Sequence, residues 1–233
     1  MRSRGERWKD SGLKVTLYAG FIGIFCCFFV GYFSVFCKRT KTFDLNRTYY
    51  LLCESSAEDR VETTAGIAYL SGAAGYVFTL SGQEKVALAA YTNGADAEIV
   101  AAIQATKGKE TQIVEVTIGT FYFTDREQAS VFEEVRGEIV TLIACADAIL
   151  TIANGLENGK YTQEEGKRLV QDVEGVLCSL AEENTTELTA ELLQEGKEKC
   201  SETKSGILYA KDLRYLQLML IEGVYRWTKI FSI

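Results

Sequence analysis

From Val15 to Phe36 the chain reads VTLYAGFIGIFCCFFVGYFSVF, with no charged residue anywhere in the run. At about 1.5 Å of rise per residue, such a run crosses a hydrocarbon core of about 30 Å as one helix. A buried core helix would keep a polar face, and this run has none. A secretory signal would have a shorter apolar stretch and a small-residue cleavage site, and SVFCKRT offers no such site. Tyr18 and Tyr32 suit the membrane interfaces, and Gly20, Gly23 and Gly31 are ordinary in membrane helices. The expectation is a transmembrane helix over residues 15–37 that brings the chain into contact with the lipid bilayer.

Arg2, Arg4, Arg7, Lys9 and Lys14 precede the run; Lys38, Arg39, Lys41 and Arg47 follow it. Basic residues are retained on the cytoplasmic side. Residues 1–14 therefore read as a cytoplasmic tail of a single-pass cell-membrane protein, and residues 38–233 as extracytoplasmic. Residues 38–47 form a juxtamembrane linker reaching at most about 35 Å.

The chain contains no histidine and no proline. Lack of histidine removes the Ser-His and Cys-His pairs and the commonest metal ligand. A carboxylate or lysine base stays open, but no catalytic site emerges and no enzyme, metal or cofactor is expected. Net charge of −7 argues against nucleic acid as a partner, because phosphate binding needs clustered Lys and Arg. Cys53, Cys145, Cys178 and Cys200 lie beyond the run without a CxxC spacing; a disulfide among them is left open.

Residues 48–118 alternate between two patterns. TYYLLCE (48–54), AGYVFTL (74–80), KVALAAY (85–91) and TQIVEVTI (111–118) read as strands. SSAEDRVETTAGIAYLSG (55–72) and TNGADAEIVAAIQATKG (92–108) read as helices, each opening on small and acidic residues. The order β-α-β-β-α-β predicts an α+β, ferredoxin-like module: a four-stranded antiparallel sheet with two helices on one face.

Residues 119–233 read as a helical domain, with helices near 125–154, 163–183, 185–200 and 205–231. T-x-x-E capping boxes stand at 124–127 and 162–165, and Asn-Gly pairs at 154–155 and 158–159. The first helix is expected to bury Val135, Ile139, Leu142, Ala146 and Leu150; the last, Leu213, Leu216, Leu220, Val224 and Trp227. A second membrane span in the last helix is contradicted by Lys211, Asp212, Arg214, Glu222 and Arg226. Asp147, inside LIACADAIL, must be paired or exposed. The glutamate pairs at 133–134, 164–165 and 182–183 read as solvated faces. Sequons at Asn46 and Asn184 carry no weight in this reading.

The segment KVALAAYTNGADAEIVAAIQATKG resembles the second half of a SPOR (sporulation-related repeat) domain. Val86 and Leu88 match that family's inward strand positions. Ala89 and Ala90 replace a glycine and a proline, Tyr91 is the aromatic, and Ala97 is the helix alanine. GAAGYVF (72–78) resembles the Gly-rich entry to the second strand. The resemblance covers about residues 48–118 and implies binding of bacterial peptidoglycan glycan strands in cell division, sporulation or envelope maintenance. By position it implies a glycan-binding face of Tyr49, Leu51 and Cys53 on the first strand and Lys85, Ala87 and Tyr91 on the third. Leu51 departs from the family's usual glutamine, and CESS departs from the glycine–aromatic end of its first strand.

A sugar face needs flat aromatics and polar neighbours, which Tyr49, Tyr76 and Tyr91 with Thr79, Gln83 and Lys85 could supply. The competing expectation is that these tyrosines pack under the helices, since a bare apolar face would be a sticky patch. Two functions stand at this point: a glycan-binding membrane protein, or a membrane-anchored assembly scaffold that binds envelope proteins through the α+β module and helical bundle. Self-association is open in both.

Overall fold

A computed structural model describes residues 41–55, 58–123, 130–182 and 187–231. The expected membrane span, the capping box at 124–127 and the sequon at Asn184 lie outside the described residues. Residues 42–122 and 131–233 form one compact unit, and the other unit, 1–41 with 123–130, falls almost wholly outside the described residues.

In chain order the elements are β1 (Lys41–Glu54), a 3-10 turn (Glu58–Arg60), α1 (Val61–Leu70), β2 (Tyr76–Leu80), β3 (Gln83–Tyr91), α2 (Gly94–Thr106) and β4 (Thr111–Phe123). Then come α3 (Phe132–Glu157), α4 (Gln163–Glu182), α5 (Glu187–Lys204) and α6 (Ala210–Ile230). The fold is α+β, with one four-stranded sheet ordered β2-β3-β1-β4. The pairs β1–β3 and β2–β3 are antiparallel.

β2 and β3 meet in a two-residue hairpin, with Leu80 opposite Gln83. Both turn residues have positive φ, Ser81 at 52° and Gly82 at 82°. That backbone matches the twist of the flanking strands and explains the glycine. At the far end of β3 the Asn93 side chain caps α2, accepting from the Ala95 N–H at 3.0 Å.

β1 begins at Lys41 rather than at Thr48, so much of the expected linker is strand. This extension runs beside β4: the Thr48 and Thr117 hydroxyls lie 3.2 Å apart, and Phe43 stacks on Phe121 with centroids 4.7 Å apart. The polar residues in KRTKTFDLNR masked the strand; alternation of Phe43, Leu45 and Arg47 was its only signal.

The helices differ from expectation in one instructive place. α3 runs through Asn154-Gly155 and stops at Glu157. Gly155 is not a breaker there but a contact point: a Cβ would lie 2.1 Å from the Tyr161 ring. The stop comes at Asn158-Gly159, where Gly159 takes φ 71°. The capping box at 162–165 forms reciprocally: the Thr162 N–H donates to Glu165 Oε2 at 2.9 Å, and the Glu165 N–H to Thr162 Oγ1 at 3.3 Å.

One sheet face packs on α1 and α2, around Leu52, Val61, Ala68, Val86, Leu88 and Ala97. The opposite face packs on α6, which lies along α3 and across β2 and β3.

Candidate functional site

The sheet face expected to be open is closed. Tyr49 and Ala87 are wholly buried and Leu51 is 1% exposed, whereas Lys85 is half-buried. Tyr91, 7% exposed, lies on the other face. The cause is a register irregularity between β1 and β3: Leu52 pairs with Ala89, but Cys53 pairs with Ala87, which leaves Leu88 as an extra residue. One inserted residue reverses the side on which all later side chains point. Tyr91, opposite Tyr50, therefore joins Leu52 and Leu88 in the core beneath α1 and α2, away from Ala87. The six residues expected to make one glycan surface are split between the two sheet faces, with Tyr49, Leu51, Cys53, Lys85 and Ala87 on one and Tyr91 on the other. The strict alternation assumed for KVALAAY failed at the bulge.

What closes the face is a set of polar ties between the sheet and the helical layer. Tyr49 donates its hydroxyl to Asp147 Oδ1 on α3 at 2.9 Å, and Arg47 pairs with the other carboxylate oxygen. Asp147 is thus paired, as a charge in an apolar helix has to be. On α6, Glu222 is 2% exposed and takes three sets of donors. Tyr76 Oη donates at 2.5 Å, the Thr79 N–H at 2.9 Å and Arg226 Nη2 at 2.8 Å. Gln217, wholly buried, donates to the Ala90 carbonyl at 3.3 Å.

Burial first, and then the carboxylate beside it, raises the phenol pKa of both Tyr49 and Tyr76. Burial likewise pushes the Cys53 thiol up to about 12 and the Cys145 thiol up to about 11. Such thiols are small core hydrophobes, not nucleophiles. Cys53, Cys145 and Cys178 carry free thiols. Among the described residues no group of three or more His, Cys, Asp or Glu could hold a metal ion.

Two clefts flank α1. The first, about 790 Å³, opens between α2 and the end of α1 over a floor of Leu52, Leu88 and Tyr91. Its far end is closed by Arg214, 6% exposed, whose Nε and Nη2 grip the Glu157 carboxylate at 3.1 and 2.7 Å. The guanidinium also lies over the Tyr91 ring, 5.4 Å from its centroid. The second, about 760 Å³, lies between α1, β2, α5 and α6, with Glu62, Glu195, Glu202 and Asp212 facing Lys199 and Arg226. Its acids are exposed or already paired: Asp212 accepts from Tyr69 Oη at 2.7 Å, and Glu202 from Lys199 at 2.8 Å.

Part of the apolar surface that remains open lies on the two helices packed against the sheet, and Val140, Val176, Ile207 and Ile230 are exposed elsewhere. Ile67 and Leu70 on α1 are 61% and 85% exposed, and Ile99 and Ile103 on α2 are 60% and 48% exposed. Sequence reasoning named no outward apolar surface on these two helices, although their isoleucine and alanine on every side were a signal of it. It also missed Arg214, Gln217 and Glu222 as structural ties, having used the charges of the last helix only as an argument against a membrane span.

One helix among the described residues, α3, is long and apolar enough to cross a membrane, and 56% of its most apolar stretch is buried inside the fold. Comparison with family models, with curated proteins and with solved structures finds no match to this chain.

Proposed function

We propose that this chain is a membrane-anchored assembly scaffold that binds protein partners in the cell envelope. Residues 15–37 are its single transmembrane helix, the N-terminus is cytoplasmic, and residues 38–233 are extracytoplasmic. β1 to β4 with α1 and α2 make a ferredoxin-like module, whose open sheet face is occupied by the chain's own helices. The reading includes no catalytic step and no cofactor.

One observation carries it. The aromatics that a SPOR-like glycan reading needs, Tyr49 and Tyr91, are buried, whereas Ile67, Leu70, Ile99 and Ile103 stand in solvent. Stacking on a pyranose requires an exposed ring. Exposed aliphatic side chains clustered on helices are instead the composition of a protein-binding surface.

The test uses the full-length chain with photo-crosslinking side chains at Ile67 and Leu70. Discrete adducts with envelope proteins, absent when the probe sits at the solvated Glu164, support the scaffold reading. No adduct, together with sedimentation of the detergent-solubilised chain with peptide-stripped peptidoglycan, restores glycan binding. A reporter fused after Ile233 that is active only in the cytoplasm reverses the orientation.

A further inference from the structure

We propose that the outer face of α2 pairs with the same face of a second copy of this chain, antiparallel and about a two-fold axis. The inference rests on the scaffold reading and names what covers one of its surfaces.

A helix lying on a sheet ordinarily turns a polar side to water. α2 does not. Ala97 is its buried residue, with Val100 and Ala101 packed partly beneath it. Its exposed side carries Ala95, Ile99, Ala102 and Ile103. Ile99 and Ile103 stand one turn apart, and Ala95 and Ala102 two turns apart, so the four form one stripe. The alanines let a second helix approach closely along it.

Charge selects the partner. Asp96 stands in the first turn of α2 and Glu98 just beyond it, and the exposed Lys107 follows the last residue of the helix, while Lys109 is turned to Ser71 Oγ at 3.2 Å. An antiparallel pairing centred between Ile99 and Ile103 sets Asp96 of each copy against Lys107 of the other, at both ends. A parallel pairing sets like against like and is disfavoured. The flanks agree as well. Asp96 and Lys107 both line the cleft between α1 and α2, so they lie on the same side of the stripe. A two-fold axis perpendicular to the helices keeps that side facing itself, which brings Asp96 of each copy to Lys107 of the other. This is the self-complementarity that an isologous interface requires. A helix of 13 residues is about 20 Å long and falls short of the roughly 800 Å² per partner of a standard interface, so the pairing is reversible on dilution.

The experiment is sedimentation velocity of the full-length chain in detergent micelles across a dilution series. The parent is expected to show a monomer–dimer equilibrium. Ile99→Glu, at an exposed position that folding does not depend on, should raise the dissociation midpoint by about tenfold or more. Asp96→Lys and Lys107→Glu should each weaken self-association, whereas an equimolar mixture of these two variants should recover heterodimers near the parental midpoint, because both ends are then complementary. Circular dichroism matching the parent excludes unfolding as the cause of any loss. A chain that is monomeric throughout, a dimer indifferent to Ile99→Glu, or single variants that fail to complement each other would overturn the proposal. Crosslinks from Ile67 and Leu70 to envelope proteins that persist in a monomeric chain would keep the scaffold reading while this pairing falls.

Discussion

Tyr76 donates its hydroxyl to Glu222 at 2.5 Å, across the contact between the sheet and α6. Glu222 is 2% exposed, and the same carboxylate also takes the Thr79 N–H and Arg226. Removing it strands a backbone donor and a phenol in the interior. Glu222→Ala is therefore expected to destabilise the fold by about 3 kcal/mol, whereas Tyr76→Phe, which leaves the carboxylate with two other donors, should lose about 1 kcal/mol. Urea denaturation midpoints of the two variants check the ranking; equal losses would show that the phenol, not the carboxylate, holds the layers together.

The same ties predict an alkaline limb. Burial raises Tyr49 and Tyr76 above the ordinary value of 10.0, and their carboxylate partners raise them further. Below pH 10 both the folded and the unfolded chain keep these phenols protonated, and the stability is whole. Above it the unfolded chain ionises while the folded chain holds its protons, so stability falls with rising pH by up to about 1.4 kcal/mol per pH unit for each buried tyrosine. Tyr49→Phe with Tyr76→Phe should start less stable at pH 8 and lose less between pH 10 and 11. An unfolding midpoint whose slope with pH is the same in parent and double variant would refute the coupling.

How far the fold was legible depends on the element. KVALAAY and ADAEIVAAIQAT declared a strand and a helix because their patterns are local: Gln83–Tyr91 and Gly94–Thr106 differ from the expected ends by about two residues. The start of β1 was hidden, since the run from Lys41 to Arg47 is mostly polar, with only Phe43 and Leu45 apolar, and gains its strand from β4, far away in sequence. The candidate surface was least legible. Its residues were named from alternation along two strands, but the extra residue at Leu88 and the cover supplied by α3 and α6 are tertiary facts. Asp147 shows the intermediate case: burial chemistry demanded a partner, and only the fold could name Arg47 and Tyr49.

The Arg214–Glu157 pair yields a prediction about asymmetry. The Arg214 side chain is 7% exposed, whereas that of Glu157 is 49% exposed. Deleting the carboxylate leaves a buried guanidinium without its counter-charge, but deleting the guanidinium leaves a carboxylate that water can reach. Glu157→Gln is expected to destabilise by about 3 kcal/mol, and Arg214→Met by clearly less. The check is guanidinium chloride unfolding of both variants. A larger loss from Arg214→Met would mean that its stacking on Tyr91, rather than its charge, holds the end of the cleft.

Gly155 supplies the sharpest steric test, because it sits inside α3 where glycine is otherwise a cost. Relieving helix entropy alone, Gly155→Ala in an open site should stabilise by up to about 1 kcal/mol. Here an added Cβ meets Tyr161 at 2.1 Å from Cδ2 and 3.0 Å from Cγ, close enough to the base of the ring that rotating the ring does not clear it. The Tyr161 N–H also donates to the Gly155 carbonyl at 3.0 Å, so the turn after α3 cannot swing away freely. Gly155→Ala should therefore destabilise by about 1–3 kcal/mol, the usual cost of overpacking. Truncating the obstacle reverses the sign: in a Tyr161→Ala background the same substitution should become neutral or stabilising. Thermal unfolding of the four proteins in this double-mutant cycle measures the coupling directly. If Gly155→Ala destabilises equally in both backgrounds, the ring is not the obstacle and the tight passage from α3 to α4 has another cause.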